Sequence, residues 1–106
     1  MTPKSKWVLM PSVRVFDDVT AGKEQVTKIA EETCEVYSAW EDYAALEGEY
    51  PDGHDVREPL RQRVIEECCD AIQATCNLLA ALGVTDLTDA MLACRQRNMR
   101  RGRITR

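Results

Sequence analysis

Apolar side chains recur every three or four residues through two long stretches of this chain, while proline and glycine fall only at the joints between them. That period is the one an α-helix presents to a core, and it excludes the two-residue alternation of a half-buried strand. The first stretch carries Val26, Ile29, Ala30, Thr33, Val36, Tyr37 and Trp40. It predicts a helix that starts near the capping oxygens of Asp17 to Thr20 and runs to about Tyr43. The second carries Leu60, Val64, Cys68, Ala71, Thr75, Leu78, Leu79 and Leu82, with Pro59 in its first turn and Gly83 placed to end it. Asp55 and Glu58 stand at capping-box spacing before it. A third, shorter helix is expected from Thr85 or Asp86 to about Arg101, with Met91, Leu92 and Cys94 as buried candidates and Gly102 as its end.

The rest of the chain fits around these helices. Residues 1–16 contain Pro3 and Pro11, which discourage a long helix, so they are expected to form an extended arm anchored by Trp7, Leu9 and Phe16. Residues 44–58 read as a loop, with turn chemistry at Pro51-Asp52-Gly53. The 106 residues predict one domain: the arm, a helical core over about 17–103, and a basic tail. Three helices make a thin core for one chain. Ile65, Ile72 and Leu79 also lie off the main stripe of the second helix. Together these features predict an all-α antiparallel bundle whose core is completed by further copies, as a homodimer or homotetramer.

Charge narrows the function. All 18 acids precede residue 90, and six arginines with no acid lie between Arg95 and Arg106. A carboxylate-rich body beside a basic end suits a site that binds cations and then an anion, although a solvated helical surface accounts for the same distribution. The acidic body disfavours nonspecific binding to nucleic acid. No apolar run reaches the roughly 20 residues of a membrane span, and the N-terminus lacks the apolar core of a signal peptide, so a cytoplasmic protein is expected. The five cysteines, Cys34, Cys68, Cys69, Cys76 and Cys94, follow neither a disulfide nor a zinc-site spacing, and they read as small hydrophobes in a reducing compartment.

Each long helix holds an acid pair at i, i+3: Glu32 with Glu35, and Glu67 with Asp70. This spacing puts both carboxylates of a pair on one helix face. On the second helix the wheel places Glu67 at the edge of the apolar stripe and Asp70 just beyond it. Four such charges facing one another repel. Water and salt relieve that repulsion if the faces point outward, and a hard divalent cation with oxygen ligands does so if they point together. No imidazole joins the set, which argues against zinc.

The segments Glu31-Glu32-Thr-Cys-Glu35 and Glu67-Cys-Cys-Asp70 resemble the Glu-Glu-x-x-Glu … Glu-x-x-Asp signature of the MazG-like all-α nucleoside triphosphate pyrophosphohydrolases. The basic tail, Arg97-Asn98-Met-Arg-Arg101-Gly102-Arg103, is similar to the ending of many members, so the resemblance covers roughly residues 25–103. The 31 residues between Glu35 and Glu67 exceed the usual separation, and the excess falls in the loop around Pro51, where Tyr50 and His54 have no counterpart.

The resemblance implies Mg²⁺, with Mn²⁺ as a substitute, held by Glu32, Glu35, Glu67 and Asp70. It implies hydrolysis of a nucleoside triphosphate to the monophosphate and pyrophosphate, with Glu31 and Glu35 as candidates for handling the attacking water. Lys28, Arg97, Asn98 and Arg101 are candidates for binding the substrate, because cations suit a triphosphate and an amide can read a base edge. A positive helix end gives the tail an alternative, purely structural reading. Asn77 either lines the nucleotide pocket or makes an interhelical hydrogen bond, and Trp40 either stacks on a base or packs in the core. Two other functions stay open: phosphoribosyl-ATP pyrophosphatase of the same fold, and a non-catalytic helical module that binds protein or nucleic acid.

Overall fold

A computed structural model describes residues 6–46 and 57–105. Among these residues all regular structure is helical: α1 spans Lys23–Ala44, α2 Glu58–Ala81 and α3 Thr88–Arg100. The loop features at Pro51-Asp52-Gly53, Tyr50, His54 and Asp55 lie outside the described residues. No helix among the described residues is long and apolar enough to cross a membrane.

Helices α1 and α2 pack on each other. They run antiparallel, because Asp42 near the end of α1 meets Arg63 near the start of α2 (2.7 Å) while the middles of the two helices meet at Glu32 and Glu67. The contact line can be read residue by residue. On α1 the sheltered positions are Gln25, Ile29, Glu32, Val36, Ala39 and Tyr43; on α2 they include Leu60, Val64, Glu67, Ala71, Ala74 and Leu78. Both lines step by four and three, the spacing that keeps one seam facing a partner helix. Ala39 and Ala74 are the only buried apolar residues among those described, and they carry only a methyl group on the seam. The seam keeps Ile29 and Val36 of the stripe expected on α1 but not its other members. Val26, Ala30, Thr33, Tyr37 and Trp40, one residue further along α1, remain exposed.

The ends of α2 and α3 share one design. Gly83 (φ 84°) and Gly102 (φ 74°) adopt the left-handed conformation that glycine takes without a Cβ clash. The amides that follow bond back, Val84 N–H to the Leu79 carbonyl and Arg103 N–H to the Asn98 carbonyl, both at 2.9 Å. These are Schellman closures that satisfy carbonyls the helix leaves free.

The starts of two helices depart from expectation. Asp17 is held by Arg14 (2.9 Å) and the chain stays non-helical through Gly22, so α1 begins at Lys23 rather than near Asp17 to Thr20. The Asp86 carboxylate accepts the Thr88 hydroxyl (2.6 Å) and amide (2.9 Å), making a turn before α3 rather than its first residue. Those two bonds, the hydroxyl's foremost, hold the Asp86 carboxyl below its usual range.

The arm is extended, but Leu9 and Phe16 do not anchor it by burial. Leu9 is 98% and Phe16 62% exposed, and Trp7 is exposed as well. Polar contacts fix the arm instead. The Phe16 amide donates to Asn77 Oδ1 (3.1 Å), and Gln73 Nε2 donates to the Arg14 carbonyl (3.0 Å). Helix α3 packs on neither α1 nor α2. Met91 and Leu92, expected to be buried, are exposed, and Cys94 is half-buried. Together with Trp7 and Val8 they line a cleft of about 950 Å³ between the arm and α3. Arg95 lies over the Trp7 ring there, 5.3 Å from its centroid.

Candidate metal centre

In an antiparallel pair, residues one position before each seam position lie on the same side of the hairpin on both helices. Here that side is polar along its length apart from Pro59 in the first turn of α2. It presents Glu24, Lys28, Glu31, Glu35, Ser38 and Asp42 on α1, and Arg63, Glu66, Asp70, Gln73 and Asn77 on α2. Five of the expected site residues, Lys28, Glu31, Glu35, Asp70 and Asn77, therefore share one face. Glu32 and Glu67 stand in the seam beneath it.

Carboxylate oxygens of Glu32, Glu67 and Asp70 lie within 4.8 Å of one another. Glu32 and Glu67 are half-buried and Asp70 is exposed, which gives a cluster open on one side. Glu35 joins it through charge. The Glu67 carboxyl is pushed above its ordinary value first by partial removal from water, then by the negative charges of Asp70 and Glu35. Arg63 pulls it back down, and Glu32 adds a smaller push. Arg63 sits one turn before Glu67, yet its guanidinium bonds Asp42. No ion pair among the described residues neutralises Glu32, Glu35, Glu67 or Asp70. An all-oxygen set of this kind, two members of it half-buried and unneutralised, fits a hard divalent cation better than a soft one.

The remaining expected residues fall in two groups. Lys28 is 3.3 Å from Glu31, an exposed pair one turn before the cluster. Asn77 is buried, and its Oδ1 accepts from both Phe16 N–H and Gln73 Nε2, so this oxygen clasps the arm. Arg97, Asn98 and Arg101 belong to α3 and its end, which stand apart from the hairpin, so the chain does not bring them to the carboxylates. Asn98 lines the arm–α3 cleft, and Arg97 and Arg101 do not. Trp40 is half exposed and packs its ring near Tyr43 (5.6 Å) rather than in a core.

The arm–α3 cleft was missed from sequence. Its signal was present in Met91, Arg95 and Asn98, which recur at helical spacing, and in Trp7, but nothing in the spacing joins an arm to a helix some 80 residues away. Compared with protein-family models, curated proteins and solved structures, the chain matches none, so the reading of its acids rests on their geometry and on the motif they form.

Proposed function

We propose that the protein is a Mg²⁺-dependent pyrophosphohydrolase that converts a nucleoside triphosphate to its monophosphate and pyrophosphate in the cytoplasm. The observation that carries this reading is the convergence of Glu32, Glu67 and Asp70 within 4.8 Å, with Glu35 charged against Glu67, on the polar face of the hairpin. These are four of the motif's five acids, the fifth being Glu31.

In this reading Glu32, Glu35, Glu67 and Asp70 hold the cation. When bound, the ion would neutralise charge on the phosphates and acidify water, so the chemistry requires no histidine base. Water attacks the α-phosphorus, and the bond from that phosphorus to the bridging oxygen breaks. Pyrophosphate leaves with the bond's electron pair. Glu31, exposed on the same face, orients the water and receives its proton. Lys28, paired with Glu31, adds positive charge beside the anionic substrate. Arg97, Asn98 and Arg101, which one chain does not bring to the carboxylates, take no part in this reading.

The test is pyrophosphate release from a panel of canonical and modified nucleoside triphosphates, with Mg²⁺ and with EDTA. Mg²⁺-dependent release together with a monophosphate of matching mass is the expected result. Silence across the panel, with turnover of phosphoribosyl-ATP, would move the same chemistry to that substrate. Silence on both, from folded protein, would overturn the enzymatic reading in favour of a non-catalytic helical module.

A further inference from the structure

Helix α3 packs on neither helix of the hairpin, yet one of its sides is built for contact. Thr88, Met91, Leu92, Arg95, Asn98 and Met99 recur at steps of three and four, so they share a face. The same residues line the cleft of about 950 Å³ between α3 and the arm. The turn at Gly102 brings the chain back toward that face. Arg103 N–H bonds the Asn98 carbonyl (2.9 Å), and the Arg103 side chain joins the lining. The arm contributes Trp7, whose ring meets the Arg95 guanidinium 5.3 Å from its centroid.

Two features of this lining define an occupant. The first is an adaptable apolar wall. Trp7, Met91, Leu92 and Met99 are all exposed, and methionine reshapes around a flat body at little cost. The second is charge of a single sign. Lys6, Arg95 and Arg103 line the cleft and no acid does. None of the three forms an ion pair with an acid among the described residues. Arg103 Nη1 instead reaches Asn98 Oδ1 at 3.5 Å, which links its guanidinium to α3.

We propose that the arm–α3 cleft binds a small organic anion, whose flat apolar body lies against Trp7 and the methionines and whose carboxylate or phosphate head meets the cleft's cations. The volume is that of a small-molecule site. Arginine's planar fork suits either head. Apolar walls beside cations offer such a ligand both charge-assisted hydrogen bonds and shelter from water, whereas a neutral body of the same shape gains only the shelter. The inference does not depend on the proposed reaction, because α3 stands apart from the hairpin and no acid of the candidate metal centre lines the cleft.

The test uses the full chain at neutral pH and two probes of one shape, naphthoate and the neutral naphthamide. Binding is followed by the NMR shifts of the Trp7 indole N–H, the Arg95 side chain and the Met91 and Met99 methyls. Naphthoate is expected to saturate these shifts, to bind about tenfold tighter than naphthamide, and to lose that advantage in high salt. Arg103→Gln, which lies beyond the helix, should remove most of the advantage while leaving naphthamide affinity and helicity unchanged. Equal affinity for the two probes, or no saturation by naphthoate at about ten millimolar, overturns the proposal. So do naphthoate shifts confined to Val26, Tyr37, Ile65 and Ile72 or to Lys28 on the hairpin. Cleft binding of an acidic, leucine-rich peptide with naphthoate silent also overturns it, in favour of a protein partner.

Discussion

The two sides of the α1–α2 hairpin differ by only two positions of register along each helix. Glu31, Glu35, Glu66 and Asp70 stand one residue before the seam, while Val26, Tyr37, Ile65 and Ile72 stand one residue after a seam position. That offset separates a face suited to ions from a face suited to oil, with Glu32 and Glu67 on the line between them. Helical geometry thus lets a thin two-helix unit carry a chemical surface and an apolar surface without mixing them.

The largest expected effect falls on the polar side alone. Glu35→Gln or Asp70→Asn should lower pyrophosphate release by about a hundred- to a thousandfold while leaving helicity and solution mass intact, because each removes one charge from the transition-state environment. Wild-type turnover in either variant would break the assignment of the acids. Next comes the seam that divides the faces. Ala74→Leu adds volume where α2 is buried, and it should cost about 1–3 kcal/mol in urea unfolding. An unchanged midpoint would mean the helices are not closely packed at that point.

Smaller effects sharpen the comparison. Asn77→Ala removes the oxygen that holds Phe16 N–H and Gln73, at about 1 kcal/mol. The Phe16 amide should then exchange faster with solvent while the amides of α1 keep their rates. The smallest effect is a matter of pH. The Glu67 carboxyl is raised in the folded chain, so its neutral form favours folding below the ordinary value of 4.5, and that contribution is lost as pH rises through the raised value. Without divalent cation, Glu67→Gln should therefore melt above the wild type at neutral pH, and the gap should close below pH 4.5. Mg²⁺ should narrow the gap at neutral pH by stabilising the wild type. A gap independent of both pH and cation would remove Glu67 from the cluster.

Much of this was legible in the residues. The helical period, the glycine ends at Gly83 and Gly102 and the non-helical arm all follow from local rules that neighbours do not override, whereas the spacing of the two acid pairs left open whether they point together or outward. The seam itself was not legible. Val26, Tyr37 and Trp40 form a more apolar line than Gln25, Glu32 and Ala39, so hydrophobicity alone selects the wrong stripe. The hairpin closes on Ile29, Val36, Leu60, Val64 and Leu78 together with small and polar residues, and leaves Val26, Tyr37, Trp40, Ile65 and Ile72 outside. That choice is set by how closely two helices approach, which no single helix encodes. The same reason explains Met91 and Leu92, whose spacing marks an apolar face but not what it meets. Arg97, Asn98 and Arg101 fit the motif, yet their distance from the acids depends on where α3 points, and that lies beyond any local pattern.

The clasp at Asn77 also orders events in time. Phe16 and Asn77 are 61 residues apart in the chain, and Arg14 and Gln73 are 59 apart, whereas Asp42 and Arg63 are separated by only 21. Closing the longer loops carries the greater entropic penalty, set against two hydrogen bonds to α2 and the contact of Trp7 with Arg95 of α3. The hairpin is therefore expected to form before the arm docks, and faster hydrogen exchange at the Phe16 amide than at the amides of α1 would check that order. The arm's landing place, Gln73 and Asn77, lies on the carboxylate side one and two turns beyond Asp70, so docking of the arm completes the edge of the surface proposed to meet the substrate.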